Sequence, residues 1–464
     1  MKKLVALLLV AMMLCASMAA LAESPEGYPE VVEGIDFGGA KIWIYDYWSG
    51  SSNDRDADPN EETQAQYDYR DWIMQTYNCE IEQIALSDWG NVANEMVNMF
   101  SAQQSDILCT ITIPPDFVTG PLTQGIFAPW SNNDLLDLND AEKWLKPTND
   151  FMNRSGNIYG VAPAPSEPRQ ILYFNKRVLQ NAGIDYETEI YDSVLDGTWT
   201  FDAFVDLLKR IQKDENNDGT VDIWGMTGSN VDMYRVAVFN NGGSFFELGE
   251  DGAITITAGS DNTLEALAWA KDVWNTYAFQ GIPDESGSVQ WDYYKEAWKQ
   301  GFCGFYMYQG YGGFGSGTTE MSGMEDEWGA VPFPVGPKGD TYYHISSDNV
   351  TVVLDLYDEA TTRNLQYIYK LWSDPTPGYA DSDSWATALY NVTDDRAVDE
   401  MYASLREGIH AASDPVLNLG SINDVEGQDY LWNLGGATPQ EIYDAKLPSW
   451  QGLVEDYNAK YAAQ

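Results

Sequence analysis

Short apolar strands alternate with helix-length amphipathic segments along this chain, and that alternation constrains the fold more than any other feature. Lys41 to Tyr45 reads as a strand ending at Asp46-Tyr47-Trp48-Ser49. A helix follows from about Glu61 to Thr76, then a strand from Cys79 to Ile84, a helix over Trp89 to Ser101 and a strand from Ile107 to Ile113. Such a succession implies parallel βαβ units with helices on both faces of a sheet. Ligands of sheets of this kind bind beyond the carboxyl ends of the strands, which directs attention to Tyr47, Trp48 and Asp116.

The pattern recurs between residues 171 and 228. Ile171 to Phe174 is a short strand, and Lys176 to Ala182 fits a brief helix stopped by Gly183. Thr200 is a candidate N-cap for a longer helix, because Phe201, Phe204, Leu207, Leu208 and Ile211 fall at helical spacing. Asp214, Asn216, Asp218, Gly219 and Asp222 then begin like an EF-hand loop, with oxygen ligands at alternate positions and a glycine for the sharp turn. The loop's last ligand should be a bidentate Glu, and Gly225 stands there. Calcium at Asp214, Asn216, Asp218 and Asp222 is therefore one reading, and an Asx-rich turn that satisfies its own backbone is the other.

Further on, Asn241-Gly242-Gly243 marks a turn, Asp261 to Ala278 a helix, and Gly301 to Tyr308 an aromatic strand running into a glycine-rich stretch. Tyr159 to Pro165 and Trp328 to Pro337 read as extended, proline-rich crossings. His344 to Leu354 is expected as a strand returning to the first half, Glu359 to Trp372 as a helix beside it, and the tail from Pro377 as mostly helical. The expected fold is α/β and periplasmic-binding-protein-like: two α/β lobes with a hinge and an interlobe ligand cleft. Lobe 1 takes residues 23–164 plus 338–376, and lobe 2 residues 165–337 plus 377–464. Two lobes joined by extended crossings make a binding device before they make a catalytic one.

Residues 1–22 have the form of a secretory signal, with Lys2 and Lys3 ahead of an apolar run and Ala20-Leu21-Ala22 as a cleavage pattern. The expected product is exported, soluble and monomeric. Cys15 invites a lipid-anchor reading, but Leu14 occupies the preceding position, where a small residue is wanted, so anchoring is not expected. A formal net charge of −47 excludes nucleic acid and anionic membrane surfaces as partners. Cys79, Cys109 and Cys303 are far apart in apolar contexts that suit buried free thiols. With only His344 and His410 available, a His-rich zinc site or a His-dependent triad has little raw material. The 17 Trp and 29 Tyr exceed what a core alone calls for, and such rings stack on the apolar faces of sugars.

In order along the chain, KIWIYDYW (41–48), SDIL (105–108), YGVAPAP (159–165), LYFNK (172–176), NAGID (181–185), TWTF (198–201), the 214–228 loop, NNGG (240–243), GFCGFYMY (301–308) and WGAVPFPVGP (328–337) together resemble extracellular solute-binding protein family 1, the maltodextrin-binding-like sugar-binding proteins of ABC transporters. The resemblance implies a carbohydrate in the interlobe cleft, hinge closure over it and delivery to a membrane permease. It adds Glu167 and Arg169 after the first crossing, Tyr234 before the Gly-Gly turn and Tyr311 after the 301–308 strand to the contacts at Tyr47, Trp48 and Asp116. The chain departs from the family pattern in its bulk at Phe302 and Cys303. It also lacks a glycine-rich run over 341–349, where His344, Asp348 and Asn349 stand instead. The scarcity of basic residues favours a neutral oligosaccharide. A secreted glycoside hydrolase and a sugar-sensing subunit for a membrane kinase are the rival readings; the former needs a spaced carboxylate pair that no motif here selects.

Overall fold

The computed structural model describes residues 24–461 except 165, 167–168, 250–252, 284, 291, 315–320, 347, 380–391, 393, 403–410 and 414–435. Strands β1 (Ala40–Asp46), β2 (Cys79–Ala85) and β3 (Leu108–Ile113) alternate with helices α1 (Glu61–Thr76) and α2 (Val92–Ser101). There follow β4 (Ile171–Asn175), α3 (Phe201–Ile211), β5 (Trp224–Gly228), α4 (Asn230–Asn240), α5 (Asp261–Tyr277), β6 (Cys303–Tyr308) and β7 (Trp328–Pro332). The chain then returns through β8 (Val350–Val352) and α6 (Glu359–Trp372) and closes with α7 (Pro439–Tyr461).

These strands form two four-stranded sheets, ordered β8-β3-β1-β2 and β7-β4-β6-β5. In the first, β1 runs parallel to both β2 and β3, and β8 is antiparallel to β3. In the second, β6 is parallel to β5, while β4 is antiparallel to its neighbours β6 and β7. Cys109 to Ile113 of β3 are all buried, as a central strand covered on both faces requires. Each sheet accordingly separates two apolar clusters, one per face.

Helix starts follow local chemistry. Asn60, Thr200, Ser229, Ser260 and Asp358 cap α1, α3, α4, α5 and α6, each side chain accepting from a backbone N–H in the first turn. Phe201, Phe204, Leu207, Leu208 and Ile211 are all buried on one face of α3. Much of the aromatic content is core: Trp130, Trp199, Trp298 and Trp450 are essentially inaccessible, and Trp298, Tyr306 and Tyr308 stack in succession beneath the second sheet. Cys79, Cys109 and Cys303 are free buried thiols whose acidity burial suppresses, Cys79 to about 12 and Cys109 to about 11.

Two expectations are corrected. His344 to Leu354 is not one strand: His344–Ser346 pairs in parallel with Ala411–Ser413, and only β8 joins the first sheet. The break falls where Asp348 and Asn349 leave the ladder to bond with Ser166 and Tyr47. The segment 328–337 is a crossing only in its second half, since Trp328–Pro332 forms the edge strand β7 against β4. Among its described residues the tail is mostly helical, as expected, with a wide helical turn over Ala397–Tyr402 and α7, and it adds the strand Ala411–Ser413. The turn is anchored by Asp394, which is 5% exposed and takes an ion pair from Lys176 (2.9 Å) and a hydrogen bond from the Tyr191 hydroxyl (2.7 Å). The first crossing meets the expectation of extended backbone, and Val161 exchanges two backbone hydrogen bonds with Thr351 of β8 (3.0 and 2.8 Å).

Cap and core should separate cleanly in urea unfolding. Thr200→Ala is expected to cost about 1 kcal/mol, and Phe204→Ala about 3–5 kcal/mol through the cavity it leaves. Equal costs would contradict this division between local and packing terms.

Candidate functional site

The first lobe's site begins with a buried carboxylate. Asp46, the last residue of β1, is 1% exposed, and both its oxygens are engaged. Oδ1 accepts from the amides of Trp48 (3.0 Å) and Ser49 (2.8 Å), and Oδ2 accepts from Ser49 Oγ (2.5 Å) and Gln83 Nε2 (2.9 Å). This turn projects Tyr47 and Trp48 past the strand end. Their rings meet edge to face at 4.7 Å, Trp48 is 55% exposed, and the Tyr47 hydroxyl donates to Asn349 Oδ1 at 2.8 Å. A large exposed indole fixed by its neighbours is a ready stacking platform.

Behind it lies a cavity of about 280 Å³ whose lining includes Asp46, Trp48, Arg70, Gln83, Asn349 and Trp372. Its walls are cross-linked. The Trp372 indole N–H donates to Gln83 Oε1 (3.0 Å), and the Arg70 guanidinium lies over the Trp372 ring, 4.3 Å from its centre. Ser166 Oγ donates to Asp348 Oδ2 (2.6 Å), which ties the segment after the first crossing to the segment leading into β8 at the cavity's edge.

The second lobe presents the carboxyl ends of β5 and β6 and the start of β4 at one edge of its sheet. Gly228 ends β5 with φ of 134°, and a Cβ there would lie 2.2 Å from the Met307 carbonyl oxygen, so only glycine fits beside β6. Arg169 Nη1 donates to Gln309 Oε1 at 2.6 Å, just beyond the end of β6. Tyr311 is 41% exposed, with its hydroxyl 2.9 Å from that of Tyr308.

Of the expected contacts, Tyr47 and Trp48 therefore stand together at the end of β1, and Arg169 and Tyr311 stand near the start of β4 and the end of β6 in the second sheet. Asp116 occupies the turn after β3, half-buried, next to Phe117, whose ring packs against the exposed Trp89 at 4.9 Å. Glu167 lies outside the described residues. Tyr234 is corrected: α4 is buried around most of its circumference, and Tyr234 is 1% exposed in the second lobe's core, its hydroxyl pushed up to about 12 by burial. Sequence reasoning missed Asp46, Arg70, Gln83, Trp372 and Gln309. Asp46 and Gln309 had a usable signal, since each closes or follows a parallel strand at its carboxyl end.

The 214–222 loop folds on its own oxygens. Asp214 accepts from the amides of Asp218 (3.2 Å) and Gly219 (2.8 Å), Asn216 from that of Asp218 (2.8 Å), and Asp222 from that of Glu215 (2.8 Å). Asn217 and Gly219 take positive φ angles of 60° and 91°, and Lys213 pairs with Ile223 across the base. Among the described residues, no group of three or more His, Cys, Asp and Glu side chains is placed to hold a metal ion. With the loop closed in this way, millimolar calcium is expected to leave the emission of Trp224 unchanged; a saturable change would assign the ion to Asp214, Asn216, Asp218 and Asp222.

No family model matches the chain, and no curated protein matches it in sequence. The likeness lies in the fold, a two-lobe α/β architecture shared with solved binding proteins. The structure is similar to an ABC substrate-binding protein of Listeria monocytogenes in complex with cycloalternan, with a TM-score of 0.59 and 14% identity over 91% of this chain and 98% of that one. It is similar to the GacH receptor of Streptomyces glaucescens, solved unliganded and with acarbose, with a TM-score of 0.58 and 14% identity over 90% and 99%. It is also similar to UgpB of Mycobacterium tuberculosis in complex with glycerophosphocholine, with a TM-score of 0.60 and 13% identity over 90% and 99%.

Proposed function

We propose that this chain is the exported binding component of an ABC transporter, which captures an oligosaccharide between the carboxyl ends of its two sheets and hands it to a membrane permease. The observation that carries this reading is the exposed Trp48 indole, held by the Asp46 turn over a cavity rich in hydrogen-bonding groups. A pyranose needs an aromatic face for its C–H side and amide or carboxylate partners for its hydroxyls. Trp48 and Tyr311 supply rings on the two lobes, and Asn349, Gln83 and Gln309 supply amides. Rings on both lobes suit a ligand of more than one sugar unit.

Two-lobe proteins of this kind work by population shift: a ligand that contacts both lobes binds the closed form better and draws the hinge towards it. Structures of this fold hold cycloalternan, acarbose and glycerophosphocholine, so the fold itself does not fix the ligand. The lobes' rings and amides favour sugars. No step of bond cleavage is assigned. Asp46, the buried carboxylate of the cavity, spends its oxygens on four hydrogen bonds within its own neighbourhood, which suits holding a turn and leaves it poorly placed to pass a proton. No helix among the described residues is long and apolar enough to cross a membrane.

Thermal shift across a broad panel of oligosaccharides should identify stabilising ligands, and Trp48→Ala should weaken the best of them at least tenfold, about 1.4 kcal/mol. The variant's own melting point should hardly move, because the ring is mostly solvent-exposed. A panel in which no sugar raises the melting temperature would defeat the proposal.

A further inference from the structure

The strongest unexplained group near the site is a cation. In a chain of net charge −47, arginines find acidic partners easily: Arg55, Arg177, Arg210, Arg363 and Arg396 each pair with a carboxylate. Among the described residues Arg70 makes no such ion pair. It is half-buried on α1 and lies over the face of Trp372, within electrostatic reach of Arg55 and Tyr67. Acids on neighbouring segments and in the cavity wall are engaged with other groups: Asp71 with Arg55, Asp374 with Lys143 and Lys370, Asp348 with Ser166, and Asp46 with its four hydrogen bonds. Burial, with a smaller contribution from the Arg55 charge, pushes the guanidinium down to about 10, so it remains cationic at neutral pH without compensation. Arg235 also has buried nitrogens without partners among the described residues, but it does not line the Trp48 cavity.

Position makes the difference. Arg70 lines the same cavity as Trp48, Gln83 and Trp372. The guanidinium carbon lies 4.3 Å from the Trp372 ring centre, so the indole covers one side of the group, and its planar fork of N–H donors matches an oxyanion through two parallel hydrogen bonds. The Trp372 ring is itself held by its bond to Gln83, whose amide in turn bonds Asp46. The donor is therefore preorganised, which lowers the entropic cost of engaging it. Leaving a half-buried charge unpaired is costly, and that cost is recovered when a ligand anion arrives.

We infer that the cavity behind Trp48 reads an acidic substituent of the glycan, with the Arg70 guanidinium taking a carboxylate, sulfate or phosphate oxyanion on a sugar whose ring stacks on Trp48. This rests on the carbohydrate reading above and narrows its ligand class. It replaces the sequence expectation of a neutral ligand, which assumed that several basic groups would be needed; one oriented guanidinium suffices for one oxyanion.

The test is a glycan array bearing uronate-containing, sulfated, phosphorylated and neutral oligosaccharides, probed with the full-length mature protein and with Arg70→Gln and Arg70→Lys. The tightest acidic hit is then compared by calorimetry with its carboxyl-reduced, desulfated or dephosphorylated form, which tells the oxyanions apart. Wild type should prefer the acidic form at least tenfold, and less so at high salt, as expected for a charge pair. Arg70→Gln should lose that preference to within about twofold while still binding the neutral form, and Arg70→Lys should keep part of it. Wild-type binding confined to neutral glycans, or an acidic preference that survives in Arg70→Gln, overturns the inference and leaves the carbohydrate reading intact. An array with no bound glycan overturns both. A melting temperature that falls in Arg70→Gln with an unchanged acidic-to-neutral ratio assigns Arg70 a structural role and also overturns it.

Discussion

The carboxylate of Asp46 holds the first lobe's working edge together. A charged group buried to 1% exposure is tolerable only with every lone pair engaged, and here two backbone amides, a hydroxyl and a side-chain amide supply the four bonds. Those bonds set the turn that exposes Trp48, orient Gln83, and through Gln83 fix Trp372 beneath Arg70. One strand-end residue thus couples β1, β2, α1 and α6 into a single wall. Removing it would strand several donors at once, so the site is rigid on this lobe before any ligand arrives.

The second lobe is built differently. Its working edge depends on close backbone approach, seen at Gly228 against Met307, and on aromatic packing below β6. The groups it offers, Arg169 with Gln309 and Tyr311 with Tyr308, are paired with one another. A wall cross-linked around buried Asp46 and an edge of paired side chains suit a device in which one lobe holds a ligand and the other closes on it. The Ser166–Asp348 bond ties the segment just after the first crossing to the one leading into β8.

Much of this fold was legible because local chemistry and packing agree. Thr200 caps the helix whose apolar stripe is then buried at every expected position, and Glu61–Thr76 and Glu359–Trp372 begin after Asn60 and Asp358 for the same reason. Misreadings arose where long-range pairing decides. His344–Ser346 is a strand because Ala411–Ser413, far along the chain, lies beside it, and Trp328–Pro332 is an edge strand because β4 accepts it. Tyr234 looked like a ligand contact from its place before a Gly-Gly turn, but α4 is buried nearly all round and absorbs it. Arg70 was invisible for the opposite reason: a basic residue on a helix reads as solvated surface until its place over Trp372 in the cavity wall, a property of three dimensions, is seen.

The central claim is that one ligand engages the carboxyl ends of both sheets. Hydrogen–deuterium exchange, compared with and without a saturating glycan identified by thermal shift, tests it directly. The account predicts slower exchange at residues 46–49 and 348–349 on the first lobe and at 169–171 and 309–314 on the second. Protection confined to one lobe, or falling away from both strand-end regions, would contradict it.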